Sequence, residues 1–206
     1  SGKTECFMLP LVNDLTGNDG KAKNIGCVEA LFLYPLNALM EDQKERLHKL
    51  LVGTGLKFAS YNSNLPREEK ENPKDKNQKK TNEQIKIERA KYPGTIVATR
   101  KELWDKPANI LLANPSMLEY MLLRREDQHL FEEGKLKWIV IDEAHSYSGA
   151  GAAELAMLLR RVLQAFGIKD PNSIRFALSS ATIGNEGDES KKTAQLIEFV
   201  SKLTGV

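Results

Sequence analysis

The sequence predicts an α/β fold, with a mostly parallel central sheet and helices on both of its faces. Apolar runs of strand length alternate with helical patterns, as they do when each parallel strand is followed by a crossover helix. Residues 138–141 form an almost wholly apolar run, which is typical of a strand that helices cover on both sides. The 206 residues, 41% of them apolar and 28% charged, suffice for one globular domain with its own core.

The first half of the chain contains two predicted strands and a helix between them. Residues 5–11 are expected to form the beginning of a helix, and residues 27–34 are predicted to form a buried strand that Pro35 stops. Residues 37–51 are predicted to be helical, because four leucines fall at spacings that share one face. Two glycines end this helix, and 57–61 follows as a short strand.

The second half repeats the alternation of strand and helix. Residues 110–113 are predicted to form a strand, and Ser116 is expected to cap a helix over 117–124. An apolar stripe over 155–166 predicts a longer helix that a glycine ends. Residues 174–178 then give one more strand.

Two segments are expected to lie outside the core. Residues 66–92 mix Lys, Glu, Asn and Gln with few large apolar residues, so we expect an exposed, partly helical insertion. Its lysines could follow the phosphates of a nucleic acid, but the interleaved acidic residues favour a solvated surface instead. Residues 183–206 are expected to form a peripheral helix, over 191–203, and a linker.

Charge and cysteine content exclude few classes of function and indicate a cytoplasmic protein. The formal net charge is only +2, which does not by itself indicate a nucleic-acid partner. No apolar run approaches the length of a membrane span, so no membrane partner is expected. The two cysteines, Cys6 and Cys27, are too few for a disulfide framework, and we expect both to be reduced packing residues.

The first residues match the end of the phosphate-binding loop G-x-x-x-x-G-K-[ST]. Gly2 allows backbone N–H groups to approach phosphates, the Lys3 ammonium reaches the β- and γ-phosphates, and the Thr4 hydroxyl completes a Mg²⁺ shell. The first glycine of the pattern would lie upstream of Ser1, so we expect the chain to be truncated within this loop. A Gly-Lys-Thr tripeptide is common by chance and counts only if the remainder of an ATPase follows.

The apolar strand 138–141 delivers two acids and a histidine at its carboxyl end. Ligands of open α/β sheets bind outside the carboxyl ends of the strands, so both acids are expected to face the phosphate-binding loop. Asp142 is placed to hold Mg²⁺ and Glu143 to activate the attacking water, while His145 could reach later loops. A solvated strand end is the alternative, and the apolar strand and the upstream Gly-Lys-Thr argue against it.

Four sequence blocks in this order resemble the first RecA-like domain of DEAD/DEAH-box helicases of superfamily 2. They are Ser1-Gly2-Lys3-Thr4-Glu5, Tyr34-Pro35-Leu36-Asn37-Ala38-Leu39 with Asp42-Gln43, Asp142-Glu143-Ala144-His145, and Ser180-Ala181-Thr182. The resemblance implies a RecA-like P-loop NTPase fold that binds ATP and Mg²⁺. Residues 109–120 and 180–185, and the helix within 149–163, are further similar to bacterial helicases related to Lhr and MrfA.

The resemblance also implies contacts to the sugar-phosphate backbone of a nucleic acid. The residues that match the contact motifs follow two strand ends, and they are Pro35, Asn37 and Ala38, and Asn114, Pro115 and Ser116. Arg100 is a further candidate, although a plain surface arginine explains it equally well. Ser180 and Thr182 would couple the ATP site to these contacts through His145.

The function that the sequence predicts is that of an ATP-driven motor on a nucleic acid. DNA is expected rather than RNA, because of the resemblance to the Lhr and MrfA group alone. The second RecA-like domain, which completes the hydrolytic site of such motors, is expected to belong to the same protein and is absent from these residues, so this part alone should be almost inactive. A translocase subunit of a restriction or antiphage system is the alternative enzyme. A silent nucleic-acid-binding scaffold is disfavoured, because it would need none of Lys3, Thr4, Asp142 and Glu143.

Overall fold

A computed structural model of the chain describes residues 3–69, 76–147, 149–180 and 201. Within these residues five strands form one wholly parallel sheet in the order β2-β3-β1-β4-β5. The strands are β1 (Ala30–Leu33), β2 (Phe58–Tyr61), β3 (Ile110–Ala113), β4 (Trp138–Ile141) and β5 (Arg175–Leu178). The predicted parallel sheet is therefore confirmed.

Helices connect the strands and cover both faces of the sheet. They are α1 (Lys3–Leu15), α2 (Asn37–Leu51), α3 (Lys76–Lys91), α4 (Arg100–Asp105), α5 (Pro115–Leu123) and α6 (Ala150–Ala165). Short 3₁₀ turns lie at Arg125–Leu130, Ala144–Ser146 and Pro171–Ser173.

Alternate side chains of each strand enter two separate cores. Ala30 and Phe32 face a core that α1 and α2 close, whereas Leu31 and Leu33 face a core closed by α5 and α6. Burial of each such large apolar side chain stabilises the fold by about 1.5–3 kcal/mol. Because both faces are buried, the strands are apolar throughout, as the sequence pattern indicated.

Helix α1 runs antiparallel to the strands, which fixes where its N-terminus lies. Near its C-terminus, Asp14 Oδ2 accepts a hydrogen bond of 2.8 Å from Nε1 of Trp138, the first residue of β4. Near its N-terminus, the Phe7 ring lies edge-on to Phe32 of β1, with centroids 5.9 Å apart. With 13 residues, α1 is about 20 Å long. Its first turn therefore lies at the carboxyl edge of the sheet.

Segment 66–92 was expected to be an exposed insertion, but its helix α3 packs against α2, so the segment is partly buried. Ile85 is buried, and the Glu88 carboxylate lies 2.7 Å from Nε2 of the buried His48 on α2. The His48 ring also stacks on Tyr92, with centroids 4.5 Å apart. Ile87, the other large apolar residue of the segment, is exposed. A local pattern could not reveal the docking, because its partners lie some 40 residues earlier.

Three smaller expectations are corrected by the structure. The strand predicted for 27–34 is confined to Ala30–Leu33, and Cys6 is exposed on α1 rather than packed. Asn114 caps α5 in place of Ser116, because its Oδ1 accepts from the backbone N–H of Met117 at 2.7 Å. The helix predicted over 191–203 lies outside the described residues apart from 201. Among the described helices, none combines the length and apolar character that a membrane crossing requires.

The contact between Glu88 and His48 is expected to hold α3 in place. Burial raises the pKa of Glu88, but the hydrogen bond from His48 together with the charges of Lys44 and His48 outweighs burial and holds this pKa below its ordinary value. The ionised carboxylate therefore stabilises the docked helix at neutral pH, and this contribution is lost as pH falls through the lowered pKa. Glu88→Gln should raise hydrogen–deuterium exchange in peptides covering 76–92 by about five- to tenfold at pH 7. The exposed Glu83→Gln is the control, and equal exchange in both variants would rule out this role.

Candidate functional site

The carboxyl ends of the central strands meet at one edge and carry the predicted site residues. The Asp142 N–H donates to the carbonyl of Leu33 at 2.9 Å, and the Ser179 N–H donates to that of Ile141 at 2.9 Å. The Tyr34 N–H donates to the carbonyl of Ala113 at 3.1 Å. Segments that are far apart in the sequence are thus held side by side, as expected of ligand sites in open α/β sheets.

Asp142 is buried and is fixed by a serine that the sequence motifs did not single out. Its Oδ1 accepts from the Glu143 N–H at 3.1 Å and from the Ser179 hydroxyl, which is in close contact. Both hydrogen bonds go to Oδ1, so Oδ2 is the oxygen that could face a cation or its water. Ser179 directly follows β5, the neighbour of β4, and this position was the signal that could have identified it.

The surroundings of Asp142 are of low polarity. The hydroxyls of Tyr34 and Tyr147 are buried and have no hydrogen-bond partner among the described residues. Burial, and then the charge on Asp142, raise the pKa of Tyr147 to about 12 and raise that of Tyr34 further. A carboxylate in such buried surroundings interacts more strongly with a cation than one in water does.

Glu143 has a left-handed backbone conformation, with φ 51° and ψ 45°. It is the one non-glycine residue with a positive φ in the part of the chain that the structure describes. Such a conformation is sparsely populated by residues that carry a side chain, and it persists where the surroundings impose it, often at functional sites. Here the Glu143 N–H is held by Asp142 and, at 3.3 Å, by the Ser179 hydroxyl.

His145 links the acidic loop to the end of β5. Its Nδ1 lies 3.2 Å from Oε2 of Glu143 and 3.3 Å from the Ser180 hydroxyl. The Ala144 N–H also donates to the carbonyl of Ser179 at 2.8 Å. The expected contact between His145 and Ser180 is therefore present, whereas Thr182 lies outside the described residues.

The residues predicted to bind phosphate lie at or before the N-terminus of α1. Lys3 is the first residue of this helix and Thr4 is buried within its first turn. Glu5 is exposed, and its carboxylate lies 3.9 Å from the guanidinium of Arg46 on α2. Ser1 and Gly2 lie outside the described residues.

The two turns expected to contact nucleic acid are joined by a hydrogen bond between two asparagine side chains. Asn114 caps α5 through Oδ1 and donates from Nδ2 to Oδ1 of Asn37 at 2.9 Å. Asn37 and Ala38 are exposed at the start of α2, and Ser116 is exposed at the start of α5, while Pro35 and Pro115 are half-buried. The N-termini of α2 and α5 thus lie side by side, and both offer backbone N–H groups at this edge.

Arg100 lies at the same edge, beyond the end of β2. It is the first residue of α4, after Thr99, whose side chain caps the helix. Its guanidinium lies 5.2 Å from the centre of the Tyr61 ring, and Nη2 donates to the carbonyl of Asn62 at 3.5 Å. Tyr61 is the register partner of Ala113, so Arg100 lies next to the turn that begins at Asn114.

The residues present fit Mg²⁺ bound together with a nucleotide. Within the described residues no group of three or more His, Cys, Asp or Glu side chains is gathered for a metal. Mg²⁺ is often held by one or two protein oxygens, water and substrate phosphates, so a protein cage is not required. Thr4 and Asp142 supply a hydroxyl and a carboxylate, and both are hard oxygen ligands. A parallel sheet with such groups beside a helix N-terminus is the arrangement of a nucleotide-binding α/β domain.

Comparison with known proteins places this domain within a family. The DEAD/DEAH box helicase family matches residues 1–105 and 74–190. The chain is 26% identical to Druantia protein DruE of Escherichia coli, with all of this chain and 15% of DruE covered. It is 25% identical to the uncharacterized ATP-dependent helicase YprA of Bacillus subtilis, with 90% of this chain and 20% of YprA covered.

Solved structures agree with the sequence comparison. The DUF1998 helicase MrfA bound to DNA is 26% identical, with a TM-score of 0.59 over 99% of this chain and 21% of MrfA. MrfA bound to DNA and AMPPNP gives a TM-score of 0.56 at the same identity, over 99% of this chain and 22% of that one. The chain belongs to the DEAD/DEAH box helicase family. It spans about a fifth or less of the length of these relatives.

Proposed function

We propose that this chain is the ATP-hydrolysing motor domain that moves its protein along a DNA strand. The observation that carries the proposal is the buried Asp142 beside Glu143, at the same sheet edge as the paired N-termini of α2 and α5. One end of this edge has the chemistry for a nucleoside triphosphate, and the other has the chemistry for a phosphate backbone. The cytoplasm is the compartment in which we propose that the two ligands meet.

At the ATP end, the first turn of α1 and the residues before it would bind the phosphates. Backbone N–H groups of Ser1 to Glu5 and the Lys3 ammonium would surround the β- and γ-phosphates, and the helix dipole favours their negative charge. Thr4 and Asp142 would hold Mg²⁺, which supplies charge neutralisation at the phosphates. The hydrogen bonds to Oδ1 of Asp142 support this role because they fix the carboxylate.

Glu143 would orient the attacking water and accept its proton. Hydrolysis breaks the bond between the γ-phosphorus and the bridging oxygen while water oxygen bonds to phosphorus, and the proton released has to be taken up. The Glu143 side chain is 36% exposed and His145 occupies one side of it, so the carboxylate is open to water yet oriented. His145, with Ser180 and Thr182, would couple the state of the ATP site to the nucleic-acid contacts.

At the nucleic-acid end, we propose that the strand lies across the starts of α2 and α5. Pro35, Asn37 and Ala38 would contact one phosphate, and Asn114, Pro115 and Ser116 would contact another, with Arg100 beyond them. We call the path across these two turns the phosphate track. The hydrogen bond between Asn37 and Asn114 supports one continuous track, since it sets the spacing of the two turns. These groups recognise phosphate and sugar, so little dependence on base sequence is expected. MrfA was solved with DNA, which favours DNA here as well.

A second RecA-like domain of the same protein would complete the ATP site. Phosphoryl transfer in such motors gains about 10³-fold or more from arginine residues supplied across a cleft. A translocase subunit of a restriction or antiphage system is the second candidate function. This candidate is favoured by the match to DruE, which covers the whole of this chain, because the name of DruE states no helicase activity. YprA, in contrast, is named as a helicase.

The first experiment is ATP hydrolysis by the full-length protein, with and without single-stranded DNA at one fixed salt concentration. Strong stimulation by DNA is expected. Hydrolysis that no nucleic acid stimulates, or none at all from folded protein, would exclude a DNA motor. A strand-separation assay on the active protein then distinguishes a helicase from a translocase.

Glu143→Gln is expected to abolish turnover while ATP binding is kept. The change leaves the phosphate-binding groups intact and removes the proton acceptor, so kcat should fall by about 10²-fold or more. Lys3→Ala, in contrast, should weaken ATP binding itself. Binding is measured with a fluorescent nucleotide and turnover by phosphate release. Glu154→Gln, an exposed glutamate on α6, is the matched control, and unchanged turnover in Glu143→Gln would refute the role of Glu143.

Ser179→Ala is expected to raise the Mg²⁺ concentration needed for half-maximal hydrolysis by about tenfold. The hydroxyl fixes the Asp142 carboxylate, and without it the oxygen that faces the cation is less well oriented. The Mg²⁺ dependence of DNA-stimulated hydrolysis measures this effect. Ser173→Ala, before the other end of β5, makes the same chemical change where the hydroxyl donates to the carbonyl of Asp170 at 2.7 Å. An equal Mg²⁺ dependence in the two variants would show that Ser179 has no part in the metal site.

A further inference from the structure

A fully buried carboxylate lies behind the nucleic-acid end of the site. Asp127 is 0% exposed, in the 3₁₀ turn that follows α5. The Tyr61 hydroxyl donates to its two oxygens, at distances of 2.9 and 2.8 Å, and Trp104 Nε1 donates to Oδ1 at 2.8 Å. The Arg124 guanidinium lies 3.7 Å away. Burial of a carboxylate is costly unless such partners surround it, so this arrangement is strongly fixed.

Asp127 fixes Tyr61, and Tyr61 supports Arg100. Burial, and then the hydrogen bond to Asp127, raise the pKa of Tyr61, so the hydroxyl keeps its proton and remains a donor. With the hydroxyl held, the ring cannot turn away, and the Arg100 guanidinium lies 5.2 Å from its centre. An arginine over an aromatic face is held by the ring while the N–H groups in the guanidinium plane can still donate to an anion.

The Arg100 guanidinium uses few of its N–H donors within the described part of the chain. Its Nε is buried and has no hydrogen-bond partner among the described residues, and the hydrogen bond from Nη2 to the carbonyl of Asn62 is long at 3.5 Å, so the terminal N–H groups are the ones that could bind an anion. No carboxylate within the described part of the chain forms an ion pair with it, whereas Arg89 and Arg124 each form two and Arg175 forms one. The position next to β3 places this cation in line with the starts of α5 and α2.

We infer that Asp127 is a positioning residue that, through Tyr61, holds Arg100 where its guanidinium binds a backbone phosphate of the nucleic-acid strand. The inference rests on the proposed function and adds a third phosphate contact to the two helix N-termini. Asp127 itself does not touch the strand. Its role is to keep the cation from leaving the end of the track, since a long arginine side chain is otherwise free to adopt many rotamers.

The DNA affinity of Asp127→Asn is expected to change in the direction opposite to the one that net charge alone predicts. Removal of a negative charge from the neighbourhood of a nucleic acid should strengthen binding, because the net attraction increases. If Asp127 positions Arg100, Asp127→Asn should instead weaken binding, because the donors of Tyr61 and Trp104 no longer share one ionised acceptor.

The chain offers a matched control at the opposite edge of the sheet. Asp14 accepts from Trp138 Nε1 at 2.8 Å and pairs with Arg175, whose guanidinium lies 5.5 Å from the centre of the Trp138 ring. Asp14 thus has a tryptophan and an arginine partner as Asp127 does, although it is half-buried, and Trp138 and Arg175 begin their strands rather than end them. Asp14→Asn and Arg175→Gln therefore test the same chemical changes away from the proposed track.

The experiment measures the affinity of the full-length protein for single-stranded DNA as a function of salt. Arg100→Gln should lower the slope of log affinity against log salt by about 0.7, the value of one phosphate contact on a single strand. Asp127→Asn should weaken binding about three- to tenfold at moderate salt, with a similar loss of slope. The double variant should bind no more weakly than Arg100→Gln, since the two changes remove one contact. Asp14→Asn and Arg175→Gln should bind like the wild type.

The possible outcomes separate this inference from the proposed function. No DNA binding by the wild type would refute the proposed function. Binding by the wild type with equal or tighter binding by Asp127→Asn would overturn the inference alone, as would equal weakening in Asp14→Asn. If Asp127→Asn does not fold, as judged by its melting curve, Tyr61→Phe replaces it. That variant keeps the ring under Arg100 but frees it from Asp127, and it should weaken binding in the same direction, whereas unchanged binding would again overturn the inference.

Discussion

The parallel register of the sheet is the constraint on which the rest of the structure depends. Leu33, Ile141 and Leu178 lie side by side at the ends of β1, β4 and β5, although more than 140 positions separate the first from the last. Parallel strands cannot be joined by tight turns, so each strand is followed by a crossover and all carboxyl ends reach the same edge. Asp142 and Ser179 therefore meet as a consequence of strand pairing, before any attraction between their side chains is considered.

Two aspartates with tryptophan partners lie at opposite edges of this sheet, and of these Asp127 is fully buried whereas Asp14 is half-buried. Asp127 accepts from two side chains, the Tyr61 hydroxyl and Trp104 Nε1, and Asp14 lies between a tryptophan and an arginine. Buried ion pairs contribute little net stability, because desolvation offsets most of their attraction. Stability alone is thus a weak reason for a completely buried carboxylate at Asp127. Orientation of the groups around it is the stronger physical reason, since directional hydrogen bonds restrict rotamers in a way that apolar packing does not.

Much of the fold was predictable because its signals are local. The strands at Ile110–Ala113 and Trp138–Ile141 and the helix Asn37–Leu51 have the predicted bounds, since apolar runs and leucine spacing reflect burial on the faces that they occupy. Ser179 was missed because its role depends on the pairing of β4 with β5. Asp127 was missed because it stands in a polar stretch, and its burial depends on Tyr61, 66 positions away. Tertiary contacts of this range leave no periodicity in the sequence.

The order of the strands divides the site edge into two halves that share β1. Strands β4 and β5 carry the acidic loop and Ser179, whereas β3 and β2 end beside Asn114 and Arg100. The end of β1 is bonded to both halves, because the carbonyl of Leu33 accepts from Asp142 and the N–H of Tyr34 donates to Ala113. The peptide unit between Leu33 and Tyr34 is thus bonded to the acidic loop on one side and to the end of β3 on the other, and Pro35 follows it directly. If the two halves are coupled as proposed, the central strand offers the shortest physical connection between them.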